Sequence, residues 1–220
     1  IKNPMVIEKA KQVLKIESEA IQALINRIDD TFVKTVELLD KCKGRVVITG
    51  IGKSGIIGKK ISATLASIGV PSIFLHAADG THGDLGMITS NDMVIAISNS
   101  GESEEILNLL PAIKRFNVTL VSMTGNVNST LAKKSNIVLN ISVKEEACPL
   151  GLVPTASTTA TMALGDALAM ALLDKRGFKE EDFAVLHPSG SLGKKLLIQV
   201  DDLMHIGSNI PIINKDAPLK

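Results

Sequence analysis

The first forty residues carry apolar positions at helical spacing. Apolar side chains recur every three or four residues, with charged residues between them, at Ile7, Ala10, Leu14, Ile21, Leu24, Ile25 and Ile28. This period predicts an amphipathic helix over residues 7–28. A second helix is predicted over 31–41, with inward positions at Phe32, Val33, Val36 and Leu39. The two helices either cover a subunit interface or pack on their own domain, and the pattern favours neither.

From Arg45 onward, short apolar runs are followed by helical patterns. Unbroken apolar runs are typical of parallel strands buried on both faces. Five strands are predicted, at residues 46–49, 72–76, 92–98, 119–123 and 137–143. Helices are predicted up to residue 68 and over 103–116, 128–134 and 156–176, with a Gly- and Asp-rich loop at 77–86. The alternation predicts an α/β fold of three layers (αβα), in which helices cover both faces of a five-stranded, doubly wound parallel sheet.

These elements divide the chain into three segments. Residues 1–44 hold the N-terminal helices, residues 45–199 hold the α/β domain, and residues 200–220 form a tail that is too short for another domain. Because 45% of the chain is apolar, the central domain can bury a sizeable core.

Composition excludes several classes of partner. The formal net charge is +1, and Trp and Tyr are absent, so nothing favours nucleic acid or an anionic membrane. The most apolar stretch, residues 162–173, is shorter than a membrane span and contains Asp166. The N-terminus lacks the regions of a signal peptide. Cys42 and Cys148 predict two buried thiols instead of a disulfide framework, and a cytoplasmic protein is expected.

The loop after the first predicted strand suits a phosphate group. Gly50-Ile51-Gly52-Lys53-Ser54-Gly55 has the glycine spacing of a dinucleotide fingerprint. The next strand ends in His76, however, where a dinucleotide site would place an acidic residue for the ribose. Gly52, Lys53 and Ser54 therefore favour a compact phosphorylated substrate over NAD.

A second loop, Ser98-Asn99-Ser100-Gly101-Glu102-Ser103, lies between a predicted strand and a predicted helix. Its hydroxyl groups can donate to phosphate oxygens beside helix N–H groups. The alternative is that these serines only cap the helix, which one serine would achieve. A third polar cluster, residues 155–161, opens the longest helix and either caps it or faces the ligand. All of these loops are expected at the carboxyl edge of the sheet.

Acid–base candidates follow the same loops, at Lys53, His82, Glu104, Glu105, Glu145, Glu146 and His187. An aldose–ketose isomerase needs a base, a group that stabilises an enediolate and a group that moves protons between two oxygens. The alternative for Glu104 and Glu105 is that they only interact favourably with the dipole of the helix they begin. The second pair precedes an apolar turn, so a raised pKa is expected there.

The histidines and cysteines do not suggest a metal centre. His76, His82, His187 and Cys148 match no metal-ligand spacing. No metal or other cofactor is therefore expected to be required.

Five motifs resemble the bacterial D-arabinose 5-phosphate isomerases of the sugar isomerase (SIS) superfamily. They are Gly52-Lys53-Ser54-Gly55, His82-Gly83-Asp84-Leu85-Gly86, Ser98-Asn99-Ser100-Gly101-Glu102-Ser103, Glu146-Ala147-Cys148-Pro149-Leu150-Gly151 and Leu186-His187-Pro188. The resemblance extends from about residue 5 to about residue 212. It implies interconversion of D-ribulose 5-phosphate and D-arabinose 5-phosphate through an enediolate. That reaction is the first step towards Kdo, an acid sugar of lipopolysaccharide and some capsules.

The resemblance also implies roles for single residues and a partner. Lys53, Glu105, Glu146 and His187 are expected to be catalytic, and His82 is expected to contact substrate together with Gly52, Ser54, Ser98, Ser100 and Ser103. His76 matches a position associated with inhibitory zinc. A homotetramer is expected.

The sequence departs from the family at its C-terminal end. Relatives continue into paired CBS domains, whereas here Val200-Asp201-Asp202-Leu203-Met204 resembles the beginning of the first one and the sequence then stops. A feedback ligand would then bind the SIS domain itself, with CMP-Kdo as the candidate. The alternative function is a non-catalytic phosphosugar-binding regulator on the same fold. Such a regulator needs the serine loop but not Lys53, Glu146 and His187 together.

Overall fold

A computed structural model describes residues 4–197, 199–207, 210, 212–213 and 215–217. The chain divides into two compact units, the first ending at Phe178 and the second beginning at Lys179. The first unit contains the sheet, and the second contains short helices. The segment boundaries at residues 44 and 199 stay predictions.

The first unit is built around a parallel sheet of five strands. They are β1 (Val46–Gly50), β2 (Ser72–His76), β3 (Met93–Ile97), β4 (Thr119–Thr124) and β5 (Ile137–Asn140). Their order is β2-β1-β3-β4-β5, and every adjacent pair in the described chain is parallel. Every residue of β1 and β3 is buried, as a strand covered on both faces requires. The predicted doubly wound αβα fold is confirmed.

Helices of the first unit precede these strands, connect them and follow the last of them. They are α1 (Pro4–Ile25), α2 (Asp30–Lys41), α3 (Gly52–Ser67), α4 (Ala77–Gly80), α5 (Glu104–Leu107), α6 (Leu110–Arg115), α7 (Thr130–Lys134) and α8 (Ala156–Lys175). A 3₁₀ helix covers Asp84–Met87. The second unit holds α9 (Glu180–Leu186), α10 (Ser191–Leu197) and α11 (Val200–Leu203). No helix was predicted for residues 180–203.

One face of the sheet is covered by α1, α2, α3 and α8, which share a single hydrophobic cluster with the strands. The centre of this layer is α8. It approaches α3 so closely that a Cβ on Gly165 would lie 2.5 Å from Ile61 Cδ1. Asp166 beside it forms an ion pair with Lys60 of α3. By length and composition alone α8 could cross a membrane, but half of its apolar stretch is buried inside the fold.

The opposite face is covered by short helices, and here several predicted boundaries were wrong. Residues 103–116 form two helices, because Pro111 has no N–H to donate to the preceding turn. The predicted loop at 77–86 contains α4 and the beginning of the 3₁₀ helix. The fifth strand ends at Asn140 instead of residue 143, since the Asn140 side chain accepts the N–H of Ser142 and turns the chain.

The N-terminal helices bury only part of their apolar surface. In α1, Ala20 and Leu24 are buried against the core, whereas Ile7, Leu14 and Ile21 of the predicted apolar series are 46%, 69% and 40% exposed. In α2, Phe32, Val36 and Leu39 are buried as predicted, but Val33 is exposed. An apolar stripe of α1 is therefore left uncovered in the single chain.

The two thiols are free, as predicted, but both are only partly buried, so the prediction of two buried thiols was wrong. Desolvation raises the pKa of the Cys42 thiol, and its Sγ lies 3.7 Å from the Arg45 carbonyl oxygen. Cys42 ends α2 as its C-cap residue. Its position is therefore structural.

Replacing Gly165 with alanine is expected to destabilise the protein. The new Cβ would overlap Ile61, and overpacking of a core contact costs about 1–3 kcal/mol. Urea unfolding of the Gly165→Ala variant measures this loss directly. Gly86→Ala is the control, because a Cβ at Gly86 meets nothing within 4 Å. Equal free energies of unfolding for Gly165→Ala and the wild type would contradict the close α3–α8 contact.

Candidate active site

The register of the sheet places the loops after the strands at one edge. Gly50 is paired with His76 on one side and with Ile97 on the other, and Thr124 is paired with Asn140. The winding of the chain reverses between β1 and β3. In open α/β sheets a crevice forms at such a switch point, outside the carboxyl ends of the strands. The loops that follow β1 and β3 flank this crevice.

The loop after β1 presents unpaired backbone donors to the crevice. Gly52 has a φ of 56°, which lies in the left-handed region that favours glycine, and a Cβ there would meet nothing within 4 Å. Helix α3 has neither a side-chain N-cap bond nor an acidic residue in its first turn. Its positive end is therefore available to an anion. Lys53 is exposed and makes no ion pair with any described residue, and Ser54 is half-buried beside it.

The serine loop after β3 is held in shape by its own hydroxyl groups. Ser98 is buried, and its Oγ accepts the N–H of Gly101 at 3.0 Å and lies 2.9 Å from Ser103 Oγ. Gly101 has a φ of 66°, and a Cβ there would lie 2.0 Å from Ser129 Oγ. The exposed Ser100 accepts the N–H of Glu102.

Ser103 does not act as a simple helix cap. It is the N-cap residue of α5, yet its side chain makes no cap hydrogen bond. Ser98 therefore shapes the loop from inside, whereas the hydroxyl of the exposed Ser100 accepts the N–H of Glu102 and keeps its own hydrogen to donate to a ligand. Which of the three contacts substrate stays a prediction.

The acidic residues after the serine loop differ in their surroundings. Glu102 Oε1 accepts the N–H of Thr130 at 2.7 Å, and this bond lowers the pKa of Glu102. Glu104 is exposed and Glu105 half-buried, and neither carboxylate accepts a hydrogen bond from a described residue. Glu105 thus keeps both oxygens free in the first turn of α5.

Glu146 is a tightly held carboxylate. Its Oε2 accepts three hydrogen bonds, from Thr155 N at 2.7 Å, Thr155 Oγ1 at 3.1 Å and Ser157 N at 3.2 Å. Partial burial disfavours the charged form, but the hydrogen bonds from Ser157 and Thr155 outweigh it and lower the pKa of Glu146. The expectation of a raised pKa was wrong, because the donors at the beginning of α8 were not foreseen.

The polar cluster at residues 155–161 accounts for those donors. Thr155 and Ser157 are directed to Glu146, and Thr159 Oγ1 donates to Glu17 of α1 at 3.0 Å. Thr161 Oγ1 donates to the Ser157 carbonyl at 2.7 Å. The two alternatives considered for this cluster were capping and ligand contact. The structure adds a third role, which is to hold Glu146.

The loop between Ala147 and Thr155 carries an exposed apolar tip. Leu150 and Leu152 are 77% and 78% exposed. At the base of the loop, backbone N–H groups lower the pKa of the Cys148 thiol, with Val153 contributing most. This loop closes on itself where Ala147 N donates to Thr155 Oγ1 at 2.8 Å.

The two histidines near the edge lie at the end of β2 and beyond it. The Nδ1 atom of His76 is buried without a hydrogen-bond partner in the described structure and lies 4.0 Å from Asp79 Oδ2. His82 is exposed between α4 and the 3₁₀ helix. The described residues contain no cluster of three His, Cys, Asp or Glu side chains that could hold a metal, and zinc needs about four ligands. The role of His76 stays a prediction.

His187 belongs to the second unit, where it is the C-cap residue of α9. Its ring stacks on Phe183 with centroids 3.9 Å apart, and Nδ1 lies 3.0 Å from the Phe183 carbonyl oxygen. Because a carbonyl only accepts, Nδ1 carries the proton and Nε2 of the neutral ring remains an acceptor. The predicted loop at 187–190 is confirmed as a turn.

The candidate site does not coincide with a large cleft among the described residues of the single chain. That cleft, of about 730 Å³, lies between α6 and α7, and none of the predicted site residues lines it. The site is therefore defined by its chemistry and its position at the sheet edge.

The SIS domain family model matches residues 38–171, and the chain belongs to the SIS domain family. It is 57% identical over 205 residues to arabinose 5-phosphate isomerase KdsD of Pseudomonas aeruginosa, covering 93% of this chain and 63% of that protein. It is 52% identical over 213 residues to KdsD of Escherichia coli K12, covering 97% of this chain and 65% of that protein. The chain thus spans less than two thirds of the length of these relatives.

A solved structure supports the same relationship. An Escherichia coli CFT073 protein in complex with arabinose 5-phosphate matches with a TM-score of 0.82 and 41% identity, covering 86% of this chain and all of the other. The resemblance found in the sequence motifs is confirmed.

The hydrogen bonds of Glu146 predict a pH-dependent contribution to stability. A carboxylate with a lowered pKa in the folded protein stabilises it fully above its unfolded pKa of about 4.3 and loses this effect as pH falls through the folded pKa. Glu146→Gln removes the charge but keeps an acceptor. We expect the wild type to be more stable than this variant at pH 7 and the difference to shrink on acidification.

Urea unfolding at several values between pH 7 and pH 3 measures this difference. Glu145→Gln is the matched control, since Glu145 is exposed and accepts no hydrogen bond from a described residue. A difference between Glu146→Gln and the wild type that does not change with pH contradicts the assignment.

Proposed function

We propose that the protein is an aldose–ketose isomerase that interconverts D-ribulose 5-phosphate and D-arabinose 5-phosphate, the first step of Kdo biosynthesis for lipopolysaccharide or capsule. The observation that carries this proposal is the position of the α3 N-terminus and the serine loop on either side of the switch point between β1 and β3, with Glu146 in the loop that follows β5 at the same edge of the sheet. The identity to the KdsD enzymes supports it. So does the related protein that was solved with arabinose 5-phosphate bound.

We propose that the phosphate group of the substrate binds at the switch point between β1 and β3. The first-turn N–H groups of α3 and the hydroxyls of Ser54, Ser100 and Ser103 are the proposed donors. Gly52 leaves room for the phosphate to approach the backbone, and His82 is the proposed further contact to the sugar. Fixing the phosphate holds the reacting carbons beside the carboxylates.

The reaction moves one carbon-bound proton and one hydroxyl proton. A carboxylate removes the proton from C1 of the ketose, giving an enediolate, and returns it to C2 to form the aldose. Glu146 is ionised at neutral pH and keeps Oε1 free, and Glu105 keeps both oxygens free. The base is one of these two residues. The ammonium group of Lys53 stabilises the enediolate oxygen.

His187 is the proposed carrier of the proton between O1 and O2, and it assists opening of the sugar ring. The support is the free Nε2 of its ring. Since the isomerisation has no net redox change, we propose that neither a metal nor a nucleotide is required. Bound zinc at His76 would then act only as an inhibitor.

Glu105→Gln and Glu146→Gln are expected to test the base assignment. Removing the positioned base costs about 10²–10⁴-fold in rate, so at least one variant should lose that much of kcat. NMR of ribulose 5-phosphate incubated with each protein measures the conversion to arabinose 5-phosphate. Glu145→Gln, on the exposed neighbour, serves as the control and should keep wild-type turnover.

The same assay separates the alternatives. Near-full turnover in both carboxylate variants would end the base assignment. Binding of pentose phosphate without conversion in the wild type would favour a non-catalytic regulator. Deuterium incorporation at C1 or C2 without nicotinamide would exclude a dehydrogenase, and loss of activity with a chelator would contradict the metal-free reaction. Adding CMP-Kdo to this assay tests the proposed feedback ligand.

We also propose that the protein is a cytoplasmic homotetramer and that α1 contributes to its subunit contacts. The exposed residues Ile7, Leu14 and Ile21 are seven positions apart, which places them along one stripe of the helix. Just beyond the helix, Ile28 continues the series and is 45% exposed. A second copy of this chain offers the same apolar stripe, so the two stripes can cover each other.

Leu14→Glu is expected to reduce the oligomeric state, because the new charge would be buried between stripes. Sedimentation velocity measures the change, and far-UV circular dichroism checks that the helix is retained. Gln12→Glu adds the same charge at an exposed polar position of α1 and should leave the assembly unchanged. An unchanged sedimentation coefficient for Leu14→Glu would exclude α1 from the interface.

A further inference from the structure

The two oxygens of Glu146 are in different situations. Oε2 accepts three hydrogen bonds from described residues, namely the N–H and hydroxyl of Thr155 and the N–H of Ser157, and the Ser157 side chain also lowers the pKa of this carboxyl group. Oε1 accepts none from the residues that the structure describes. The carboxylate is therefore anchored at one oxygen and open at the other.

The direction of the Thr155 hydroxyl is determined by its neighbours. Its oxygen accepts the N–H of Ala147 at 2.8 Å, and Glu146 Oε2 lies 3.1 Å away. An ionised carboxylate only accepts, so the hydroxyl hydrogen is given to Glu146. Two consecutive hydrogen bonds therefore connect Ala147 N–H to Thr155 Oγ1 and Thr155 Oγ1 to Glu146 Oε2.

The Thr155 side chain donates to Glu146 and makes no hydrogen bond that caps helix α8. It is the N-cap residue of α8, and a threonine at this position normally accepts an N–H from the second or third helical residue. Here its side chain makes no such bond, and the N–H of the second residue, Ser157, goes to Glu146 instead. The carboxylate caps the helix while the hydroxyl orients the carboxylate.

The anchor for this arrangement is rigid. Helix α8 continues directly into the core through Ala156 and Ala160, which are fully buried. A side chain fixed to a packed helix is positioned more precisely than one on a free loop.

From these contacts we propose that Thr155 is a positioning residue for the isomerisation, holding Oε2 of Glu146 so that Oε1 faces the reacting carbon. The proposal depends on the proposed function in treating Glu146 as a proton-transfer group. Its geometric part, the control of the carboxylate by Thr155, does not depend on it.

The charged surroundings of Glu146 are simple. Its immediate titratable neighbours along the chain are Lys144, Glu145 and Cys148. Of the helices packed on α8, α1 brings Glu17, bonded to Thr159, and α3 carries Lys53 in its first turn. Burial and the hydrogen bonds from Ser157 and Thr155 are the main influences on its ionisation. Loss of one hydrogen-bond donor is therefore expected to raise the pKa of Glu146 measurably.

Thr155→Val is the decisive variant, because valine keeps the branched shape and removes only the hydroxyl. We expect kcat to fall by about tenfold to a hundredfold, as for a misplaced reacting group, with KM changed by less than about threefold. The acid limb of kcat/KM should move to higher pH, since the charged form of Glu146 loses a donor. Thr155→Ser keeps the hydroxyl and should restore both values.

Thr161→Val is the matched control. Thr161 lies on the same helix, is buried, and donates only to the Ser157 carbonyl. The Thr161→Val variant should leave the acid limb of kcat/KM at its wild-type pH. If Thr155 were only structural, Thr155→Val would lower the stability of the protein but would not move the acid limb of kcat/KM. Thr155→Ser would then not selectively restore kcat.

A ¹³C NMR titration of the Glu146 carboxyl carbon gives a second readout that needs no activity. An upward shift of its midpoint in Thr155→Val, together with the kinetic changes, supports the proposal. A wild-type midpoint or a wild-type kcat in a folded Thr155→Val protein overturns it. Full turnover in Glu146→Gln would instead remove Glu146 from the proposed chemistry, while the titration still decides whether Thr155 controls the carboxylate.

Discussion

The in-register pairing of parallel strands is the interaction on which the candidate site depends. Gly50, His76 and Ile97 end three adjacent strands at the same level, so the chain leaves the sheet at one edge each time. Loops far apart in sequence lie at the same edge because the apolar strands are aligned, and contacts such as that between Glu102 and Thr130 join neighbouring loops there. The candidate polar chemistry is thereby carried by loops outside the core.

Periodicity was enough to predict the sheet, since buried parallel strands leave unbroken apolar runs. It predicted the helix α1 as well, but not which of the apolar residues of that helix would be buried. Nothing in the spacing of Leu14 and Leu24 says that only Leu24 packs on the core. The break before Pro111 was readable from the missing N–H. The helices of the second unit are short, and a helix of seven residues has too few turns to show a period.

The edge of the sheet at which the candidate loops lie was predicted correctly, but the contacts within those loops were not. Glycine and serine loops after strands have a local signature, whereas the partners of Glu146 lie across a loop and follow no repeat. The direction of its pKa shift depended on those partners. An apolar turn suggested desolvation, and three hydrogen bonds outweighed it. Likewise, the sequence could not separate Ser98, whose hydroxyl is used inside the loop, from Ser100 at its surface.

The Glu146 carboxylate caps helix α8, so a substitution that removes the carboxylate also removes the helix cap. In an alanine scan, loss of Glu146 would leave the first amides of α8 without an acceptor, so inactivity would report damaged architecture and missing chemistry together. Any substitution at this position therefore changes the helix cap and the reactive group together, and aspartate would be too short to serve both tasks from the same backbone position.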